Sequence, residues 1–443
     1  MPTQLPDTWG VPTQASDPAA LAELDRAVIS LVSMRGDPEA EAARAAADDG
    51  ELLLATIAQA HLDLYSTSDE GIARARRLLD SVEPRIASAP PRERLHFDAA
   101  TAWADGRWEL AARTLDEALV RHPRDLLALR VAQDLYYFLG DARDLRDVTA
   151  RVIGAWTEDL PGWSWVQGIY AFGLEEAGDY RRAEAAARAA LAENPRDIWA
   201  SHALAHVFEM EGRQEEGLAF LGSTVADWQD SYFANHNWIH KALYHIELGD
   251  FDALVPLYDD QIRGARPVSW VPLVDAAAAL WRLSLFGVDV RDRAQSLVDA
   301  VVELVRTPIY IFNDWHALMV FALAGRGDLV EWLLASNRDA APGTTNYDVL
   351  QIVGLDLLDG FAAFSAGDYE AAVDYLTAAR PRSNLIGGSH AQRDAIDMTL
   401  LAAAARLGDE ELVRALLSER TERKPSTRPA AEALIGANLV AAC

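Results

Sequence analysis

Two pairs of histidines have the spacing that brings side chains onto one face of a helix. His202 and His206 are four residues apart, and Glu209 follows three residues later. His236 and His240 repeat this pair 34 residues further along the chain. Residues three and four apart are neighbours on a helix surface. Imidazole and carboxylate groups held together in this way can transfer protons near neutral pH or bind a transition-metal ion.

Further polar residues that could complete the same site lie nearer the C-terminus. Asp314 and His316 begin a helical segment, although a separation of two residues prevents both from pointing the same way. Ser389 is a predicted N-cap, and Gln392 would close its capping box. The first turn of that helix, together with Arg393, favours binding of a carboxylate or phosphate.

The elements that would position these residues are marked by a recurring glycine. It is usually followed by Asp or Arg and then by an amphipathic run, at intervals of 34 to 41 residues. The ten glycines are Gly71, Gly106, Gly140, Gly178, Gly212, Gly249, Gly287, Gly327, Gly367 and Gly408. Glycine adopts the positive φ that ends one helix, and the Asp after it can cap the next. This period is typical of helical hairpins of the tetratricopeptide type.

The segments between these glycines have apolar residues at helical spacing, and none alternates for long enough to predict a sheet. We therefore predict an all-α fold, a tetratricopeptide-like helical-hairpin solenoid of about ten helix pairs in a right-handed superhelix. Residues 1–16 are expected to form an N-terminal tail or cap, residues 17–433 a single helical-repeat array, and residues 434–443 a C-terminal tail. Both histidine pairs fall on first helices of hairpins, which line the concave face of such an array.

The composition excludes several classes of partner. The chain has 68 acidic and 40 basic residues among 443, a net charge of −28, so it would repel a polyanion and we expect no nucleic-acid partner. The only cysteine is Cys443, which excludes an internal disulfide and a thiolate metal site. No signal-peptide pattern and no uninterrupted apolar run of membrane-spanning length is present. We therefore expect a cytoplasmic protein that does not contact a membrane.

Six blocks of the sequence carry a family resemblance. In chain order they are DLLALRVAQDLYYFLGD, GIYAFGLEEAGDYRRAE, HALAHVFEMEGRQEEGLAFL, HNWIHKALYHIELGDFDALVPLYD, FNDWH and GGSHAQRD. Their order and spacing resemble the tetratricopeptide repeat protein 38 family, over residues 90–425. The resemblance implies an all-helical repeat fold and no particular reaction. The positions that match the family pattern are His202, His206, Glu209, His236, His240, Asp314, His316, Gln392, Arg393 and Asp394; at His390 and Trp315 this chain departs from it.

The preferred interpretation is a concave pocket, lined by histidines and carboxylates, that binds a small anionic molecule and performs metal-free acid–base chemistry on it. The proton-transfer group would be His206 or His240, oriented by Glu209 or Asp314, with Arg393 as the substrate anchor. The predicted catalytic residues are therefore His206, His240, Glu209 and Asp314, and the predicted substrate-binding residues are His202, His236, His316, Gln392, Arg393 and Asp394. This interpretation assigns no metal ligand and no cofactor.

Two alternative functions remain open, together with a purely structural role. Helical-repeat grooves usually receive a peptide or a partner helix, which favours an interaction scaffold with a protein partner. The paired histidines also suit a metal-dependent enzyme using zinc, iron or manganese, although H-x-x-x-H lacks the internal glutamate of zinc proteases. In the structural case each imidazole is a packing residue hydrogen-bonded between helices.

Overall fold

The structure, a computed structural model, describes residues 3–263, 270–424 and 427–441. Its regular structure is helical almost throughout, so the all-α prediction is confirmed. Within the described residues the exception is an antiparallel hairpin of two short strands, β1 (Gln4–Pro6) and β2 (Pro12–Gln14).

The chain divides into two compact units, whereas the sequence predicts a single array. The first unit comprises Met1–Leu204, Asp227–Tyr232 and Gly343–Thr345, and the second comprises Ala205–Ala226, Phe233–Pro342 and Asn346–Cys443. The division after Leu204 falls inside a helix. The sequence does not mark it, because the turn glycines continue through this region without a change in composition.

The helices of the first unit pack mainly as consecutive pairs, such as α1 with α2, α3 with α4, α5 with α6 and α9 with α10. They are α1 (Pro18–Ser33), α2 (Pro38–Asp48), α3 (Leu53–Leu64), α4 (Asp69–Ile86), α5 (Pro91–Ala104), α6 (Trp108–Arg121), α7 (Leu126–Phe138), α8 (Ala142–Ala150), α9 (Trp163–Glu176) and α10 (Tyr180–Glu193). A short 3₁₀ turn at Ile153–Ala155 follows α8. The next helix, α11 (Ile198–Met210), begins in the first unit and ends in the second.

The second unit contains the remaining helices. They are α12 (Gln214–Ser223), α13 (Val225–Trp228), whose last two residues belong to the first unit, α14 (Ala234–Leu248), α15 (Leu254–Leu257), α16 (Trp270–Leu285), α17 (Arg291–Gln295), α18 (Val298–Leu304), α19 (Ile311–Leu323), α20 (Gly327–Arg338), α21 (Thr345–Val349), whose first residue belongs to the first unit, α22 (Leu355–Ala366), α23 (Tyr369–Ala379), α24 (His390–Leu407), α25 (Glu410–Arg423) and α26 (Arg428–Ala441). Short 3₁₀ segments lie at Phe251–Ala253 and Arg380–Ile386, and π-helical turns at Tyr258–Arg263 and Leu350–Gly354.

Packing in the second unit joins its last helices to its first. Alternate helices contact one another in chain order, α14 with α16, α16 with α19 and α19 with α22. In addition α24 packs against α16, and α26 packs against α14 and α16. In a strictly linear array each hairpin contacts only its neighbours. The return of α24 and α26 therefore closes this unit on itself and brings its C-terminal helices to α14 and α16.

Eight of the ten predicted turn glycines have the expected positive φ. Gly327 does not; it begins α20, and Gly325 has the positive φ in that turn. Gly71 lies inside the first turn of α4, where a Cβ would stand 2.4 Å from the carbonyl oxygen of Asp63. That glycine is needed for a close backbone approach and does not end a helix.

The N-terminal segment, predicted as a tail or cap, is packed into the first unit from residue 3. Trp9 and Thr13 are buried, and the guanidinium of Arg92 donates to Asp7 Oδ2 at 2.8 Å and to Thr13 Oγ1 at 2.6 Å. Asp17 caps α1, which begins at Pro18.

Residues 434–441, expected to form a C-terminal tail, belong to α26 in the structure. Leu434 and Asn438 are buried, and Asn438 Nδ2 donates to the carbonyl oxygen of Leu285 at 2.9 Å. The apolar residues of this segment cover α24 and α16, which explains why it folds as a helix.

One described segment, Thr345–Ala366, is long and apolar enough to cross a membrane by length and composition alone. Its most apolar window of 18 residues has a mean hydropathy of 1.5, and 44% of that window is buried within the protein. The segment consists of α21, a π-helical turn and α22. A core helix passes the same test, so a single segment of this kind is weak evidence for a membrane span.

Candidate functional site

Three of the predicted histidines meet in the interior of the second unit. His206 lies on α11, and His236 and His240 lie on α14. One ring nitrogen of each lies within 4.8 Å of a ring nitrogen of the other two. The ring centroids of His206 and His240 are 4.4 Å apart, and those of His236 and His240 are 5.2 Å apart. All three side chains are almost completely buried, with at most 4% of their surface exposed.

Carboxylates orient two of these rings. His236 Nδ1 donates to Asp275 Oδ1 at 2.8 Å, and His240 Nδ1 donates to Glu209 Oε2 at 3.3 Å. Asp275 is itself held by the amide of Asn235 at 2.5 Å. A carboxylate on Nδ1 fixes both the tautomer and the direction of an imidazole, and the ring lone pair is then on Nε2. Metal-binding histidines are usually held in this way by neighbouring carboxylates.

A chain of alternating charges continues from Glu209 through the buried interior of the unit. Glu209 Oε1 accepts a hydrogen bond from Lys424 Nζ at 2.9 Å, and the same ammonium lies 3.4 Å from Glu247 Oε1. Arg420 donates to Glu247 at 3.3 Å and, through a second bond at 2.8 Å, to Asp394. Each carboxylate of the chain thus has a basic partner, as buried charges require.

These contacts set the protonation states around the histidines. Burial raises the pKa of Glu209, but Lys424 and His240 outweigh it and lower that pKa to about 2. Burial lowers the pKa of His240, opposed in part by Glu209. Burial likewise opposes ionisation of Asp394, yet Arg420 and Lys424 hold its pKa well below the ordinary value. Near neutral pH the centre therefore combines an ionised Glu209 with a neutral His240, the state in which imidazole binds metals.

His202 lies one turn before His206 on the same helix, in the part of α11 that belongs to the first unit. Its side chain is buried, and its ring packs against two aromatic rings of that unit, with centroid distances of 5.0 Å to Phe172 and 6.0 Å to Trp199. Its predicted substrate-binding role stays a prediction.

Asp314 and His316 are buried on α19, and the structure does not bring them into the group of ring nitrogens within the described residues. His316 Nδ1 donates to the carbonyl oxygen of Phe312, one turn earlier on the same helix, at 2.7 Å. Burial raises the pKa of Asp314 well above its ordinary value, opposed by a hydrogen bond with Asn337, and burial lowers the pKa of His316 to about 3. Asp314 is therefore poorly suited to orient a histidine as an ionised carboxylate.

The predicted helix start at residue 389 is present, but its residues are used locally. Gln392 and Ser389 form the capping box, with Ser389 N donating to Gln392 Oε1 at 2.9 Å. The guanidinium of Arg393 donates to the carbonyl oxygens of Gly387, at 3.1 Å, and of Gly388. These contacts stabilise the start of α24. The predicted role of Arg393 as a substrate anchor stays a prediction.

The residues that sequence reasoning missed are Asp275, Glu247, Arg420 and Lys424. Lys424 follows Glu209 by 215 positions and reaches it because the C-terminal helices α24 and α26 pack back against α14 and α16. No local spacing reveals such a contact. Asp275 did leave a signal, since it is a lone acidic residue in the apolar run VPLVDAAAALW, and charged residues are rarely buried without a partner.

The first unit contains a separate buried polar cluster that the sequence analysis did not single out. Arg92 binds Asp125 through two hydrogen bonds, at 2.6 and 3.0 Å. His96 Nε2 lies 3.0 Å from Asp125, and its Nδ1 lies 3.4 Å from His61 Nε2. Although burial raises the pKa of Asp125, Arg92 and His96 hold it well below the ordinary value. With two imidazoles bonded to each other, this cluster resembles a structural network more than a metal site.

A comparison with known protein families found no family model that matches this chain. The resemblance to the tetratricopeptide repeat protein 38 family therefore stays an expectation from the quoted motifs.

Proposed function

We propose that this protein binds a transition-metal ion through His206, His236 and His240 and that this ion is its functional centre. The supporting observation is that the three buried imidazoles have ring nitrogens within 4.8 Å of one another. Two nitrogens bound to one zinc ion are at most about 4.2 Å apart, because each Zn–N bond is about 2.1 Å long. A shift of about 1 Å or less in these side chains therefore completes the coordination.

The donor set indicates which ions to expect. Neutral imidazoles suit zinc, iron, copper and nickel better than magnesium or calcium. Three histidine ligands with a further position open to water or substrate are the arrangement of many catalytic zinc sites. In such a site the ion would act as a Lewis acid and lower the pKa of its bound water. We propose zinc or ferrous iron as the ion and a small anion as the additional ligand.

Metal-free acid–base catalysis is the second candidate, favoured by the hydrogen bond of 3.3 Å between His240 and Glu209. In this case His240 accepts the proton, and Glu209 orients the ring and stabilises the imidazolium. The lowered pKa of His240, caused by burial, keeps it unprotonated near neutral pH as a base must be. The two candidates differ in one respect, which is whether an ion is bound.

Metal analysis of the untagged protein distinguishes the two candidates. We expect native mass spectrometry and elemental analysis to find about one metal ion per chain, lost in His206→Ala and in His236→Ala. His245→Ala is the matched control, because His245 is on the same helix α14 but is partly exposed and bonded to Asp250. Protein that stays metal-free after incubation with zinc and with ferrous iron overturns the metal centre and leaves acid–base catalysis.

We also propose that the helices are arranged as repeats of the tetratricopeptide type. The proposal is supported by the period of the turn glycines and by the pairing of consecutive helices, for example α9 with α10 in the first unit and α22 with α23 in the second. A crystal structure in which the hairpins of each unit superpose on one another tests it, and unrelated hairpin geometries would contradict it.

A further inference from the structure

The N-terminal hairpin, residues 3–17 up to the start of α1, lies on the outside of the first unit. Its side chains alternate, with Asp7, Trp9, Val11 and Thr13 buried and Thr8, Gly10 and Pro12 exposed. This alternation is typical of a strand-like segment with one face on protein and the other in water. Its second strand, β2, contacts α3 and α5. The segment therefore covers these helices and is not threaded through the core.

Three buried carboxylates of the first unit hold main-chain amides of this segment. Glu93 Oε1 accepts from Gln14 N at 2.8 Å, and Asp25 Oδ2 accepts from Thr8 N at 2.8 Å. Asp49 accepts from two amides at the end of the segment, at 2.5 and 2.9 Å. A carboxylate that accepts from a main-chain amide makes one of the stronger classes of hydrogen bond. The surface thus binds the segment partly through its backbone, as sites for peptides do.

Arg92 binds one side chain of the segment. Its Nη1 donates to Asp7 Oδ2 at 2.8 Å and to Thr13 Oγ1 at 2.6 Å. The other two nitrogens of the guanidinium, Nε and Nη2, donate to Asp125 at 2.6 and 3.0 Å. Asp125 belongs to the body of the unit, so it positions the guanidinium independently of the segment. Nη1 is therefore directed at whichever carboxylate occupies the position of Asp7.

Trp9 is the apolar anchor of the segment. Its side chain is 2% exposed, and its Nε1 donates to the carbonyl oxygen of Pro161 at 2.7 Å. The turn that presents it is ordered by Asp7, whose Oδ1 accepts from Trp9 N at 3.0 Å and from Val11 N at 2.8 Å. Gly10 has a φ of 78°, which glycine adopts readily. The contacts thus select an Asp-x-Trp-Gly turn.

We propose that Asp25, Asp49, Arg92 and Glu93 form a recognition site for a polypeptide segment with an Asp-x-Trp-Gly turn, and that the chain's own N-terminal segment is its resident occupant. A hairpin of two strands is marginally stable alone, so this segment depends on the surface for its order. A segment of another protein with the same turn competes for the site. This site belongs to the first unit and does not depend on the metal centre.

Fluorescence anisotropy with the full chain tests the proposal. The probe is a labelled synthetic peptide of residues 3–17, TQLPDTWGVPTQASD. A tethered segment competes with a free peptide at an effective concentration in the millimolar range. We therefore expect the double variant Asp7→Ala, Trp9→Ala to bind the peptide about tenfold or more tightly than the unaltered protein. A peptide with Asp7→Ala should bind the double variant about tenfold or more weakly than the parent peptide, because it lacks a charged hydrogen bond to Arg92.

A peptide with Gln4→Ala is the matched control, since the Gln4 side chain is exposed in the hairpin. It should bind the double variant like the parent peptide. Absence of binding to the double variant, equal binding to the double variant and the unaltered protein, or equal binding of the Asp7→Ala and parent peptides overturns the proposal. If circular dichroism shows that the double variant fails to fold, Asp7→Asn replaces it under the same criteria, because it keeps the shape of the side chain and removes its charge.

Discussion

At the scale of single residues, Asp314 shows how burial changes the protonation state of a carboxyl group. The pKa of this carboxyl group is raised by burial in the folded chain, so its neutral form is favoured there over the unfolded chain. As the pH rises above the ordinary value of 3.8, the unfolded state ionises first and the folded state loses stability. Removing the ionisable group should therefore stabilise the protein at neutral and alkaline pH.

We predict that Asp314→Asn raises the free energy of unfolding at pH 8 by about 1 kcal/mol or more, and by much less at pH 4. Urea denaturation at the two pH values measures the difference. Asp328→Asn is the control, since that carboxylate is largely exposed beside Arg326. If Asp314→Asn is less stable than the unaltered protein at pH 8, the carboxyl group is ionised and paired, contrary to this account.

His316 gives the opposite dependence on pH. Its pKa is about 3 in the folded chain because of burial, below the ordinary 6.5 of the unfolded chain. The unfolded state therefore binds the proton first, and stability is lost as the pH falls from 6.5 towards 3. One such group contributes a slope of about 1.4 kcal/mol per pH unit.

We predict that His316→Gln reduces the slope of unfolding free energy against pH by about one proton between pH 6 and 4. The measurement is a series of urea titrations across that range. His245→Gln, on a partly exposed ring, is the comparison. A slope that is the same in His316→Gln as in the unaltered protein would show that the buried ring is not the origin of the dependence.

At the scale of elements, the end of α25 completes the centre on α11 and α14. Lys424 follows α25 and is 5% exposed, and its ammonium group joins Glu209 to Glu247. Removal of one partner from a buried ion network leaves the other charges uncompensated, at a cost of about 3–5 kcal/mol. The position of this residue thus couples the stability of the C-terminal helices to the histidine centre.

We predict that Lys424→Met, which keeps an unbranched side chain without the charge, destabilises the protein by about 3–5 kcal/mol in urea and weakens metal binding by about tenfold or more. The neighbouring Arg423→Met, whose guanidinium is exposed beside Asp397, should change both quantities little. Stability like that of the unaltered protein in Lys424→Met would mean that the Lys424 ammonium group is not needed to compensate Glu209, contrary to this account.

The elements also show what the sequence could predict. Turn glycines and apolar spacing are local features, so the all-α fold and most helix ends were predictable. The approach of His206 to His240 was also predictable, because it follows from one repeat period. The contact of Glu209 with Lys424 could not be predicted, because it depends on packing between helices that are far apart in the sequence. The prediction that Gly71 ends a helix was wrong for a related reason. A glycine required by a close backbone contact, here with Asp63, cannot be distinguished in the sequence from a glycine required by a turn.

At the scale of the whole molecule, each of the two units contains its own buried network of histidine and carboxylate groups. In the first unit the network joins His96, Asp125 and Arg92, and in the second it contains the proposed metal ligands. A ligand that binds only the native state stabilises the unit that binds it, by about 2.7 kcal/mol at a concentration one hundred times its Kd. The two units should therefore respond differently to metal.

We predict that metal slows amide hydrogen exchange in α14 and α16 and leaves α3 and α5, which carry His61 and His96, unchanged. Exchange measured by mass spectrometry, with and without the ion that the elemental analysis identifies, checks this. His236→Ala should remove the effect. Slower exchange confined to the first unit would contradict the assignment of the metal centre.

The long separation between Glu209 and Lys424 also has a consequence for protein synthesis. The histidines and Glu209 leave the ribosome first, and the lysine that neutralises Glu209 is made 215 residues later. At a translation rate of about 5–20 residues per second, this interval is about 10–40 s. During that time Glu209 lacks the ammonium group that pairs with it in the folded chain. The proposed metal centre would therefore gain its complete charge network only when translation of the chain is nearly finished.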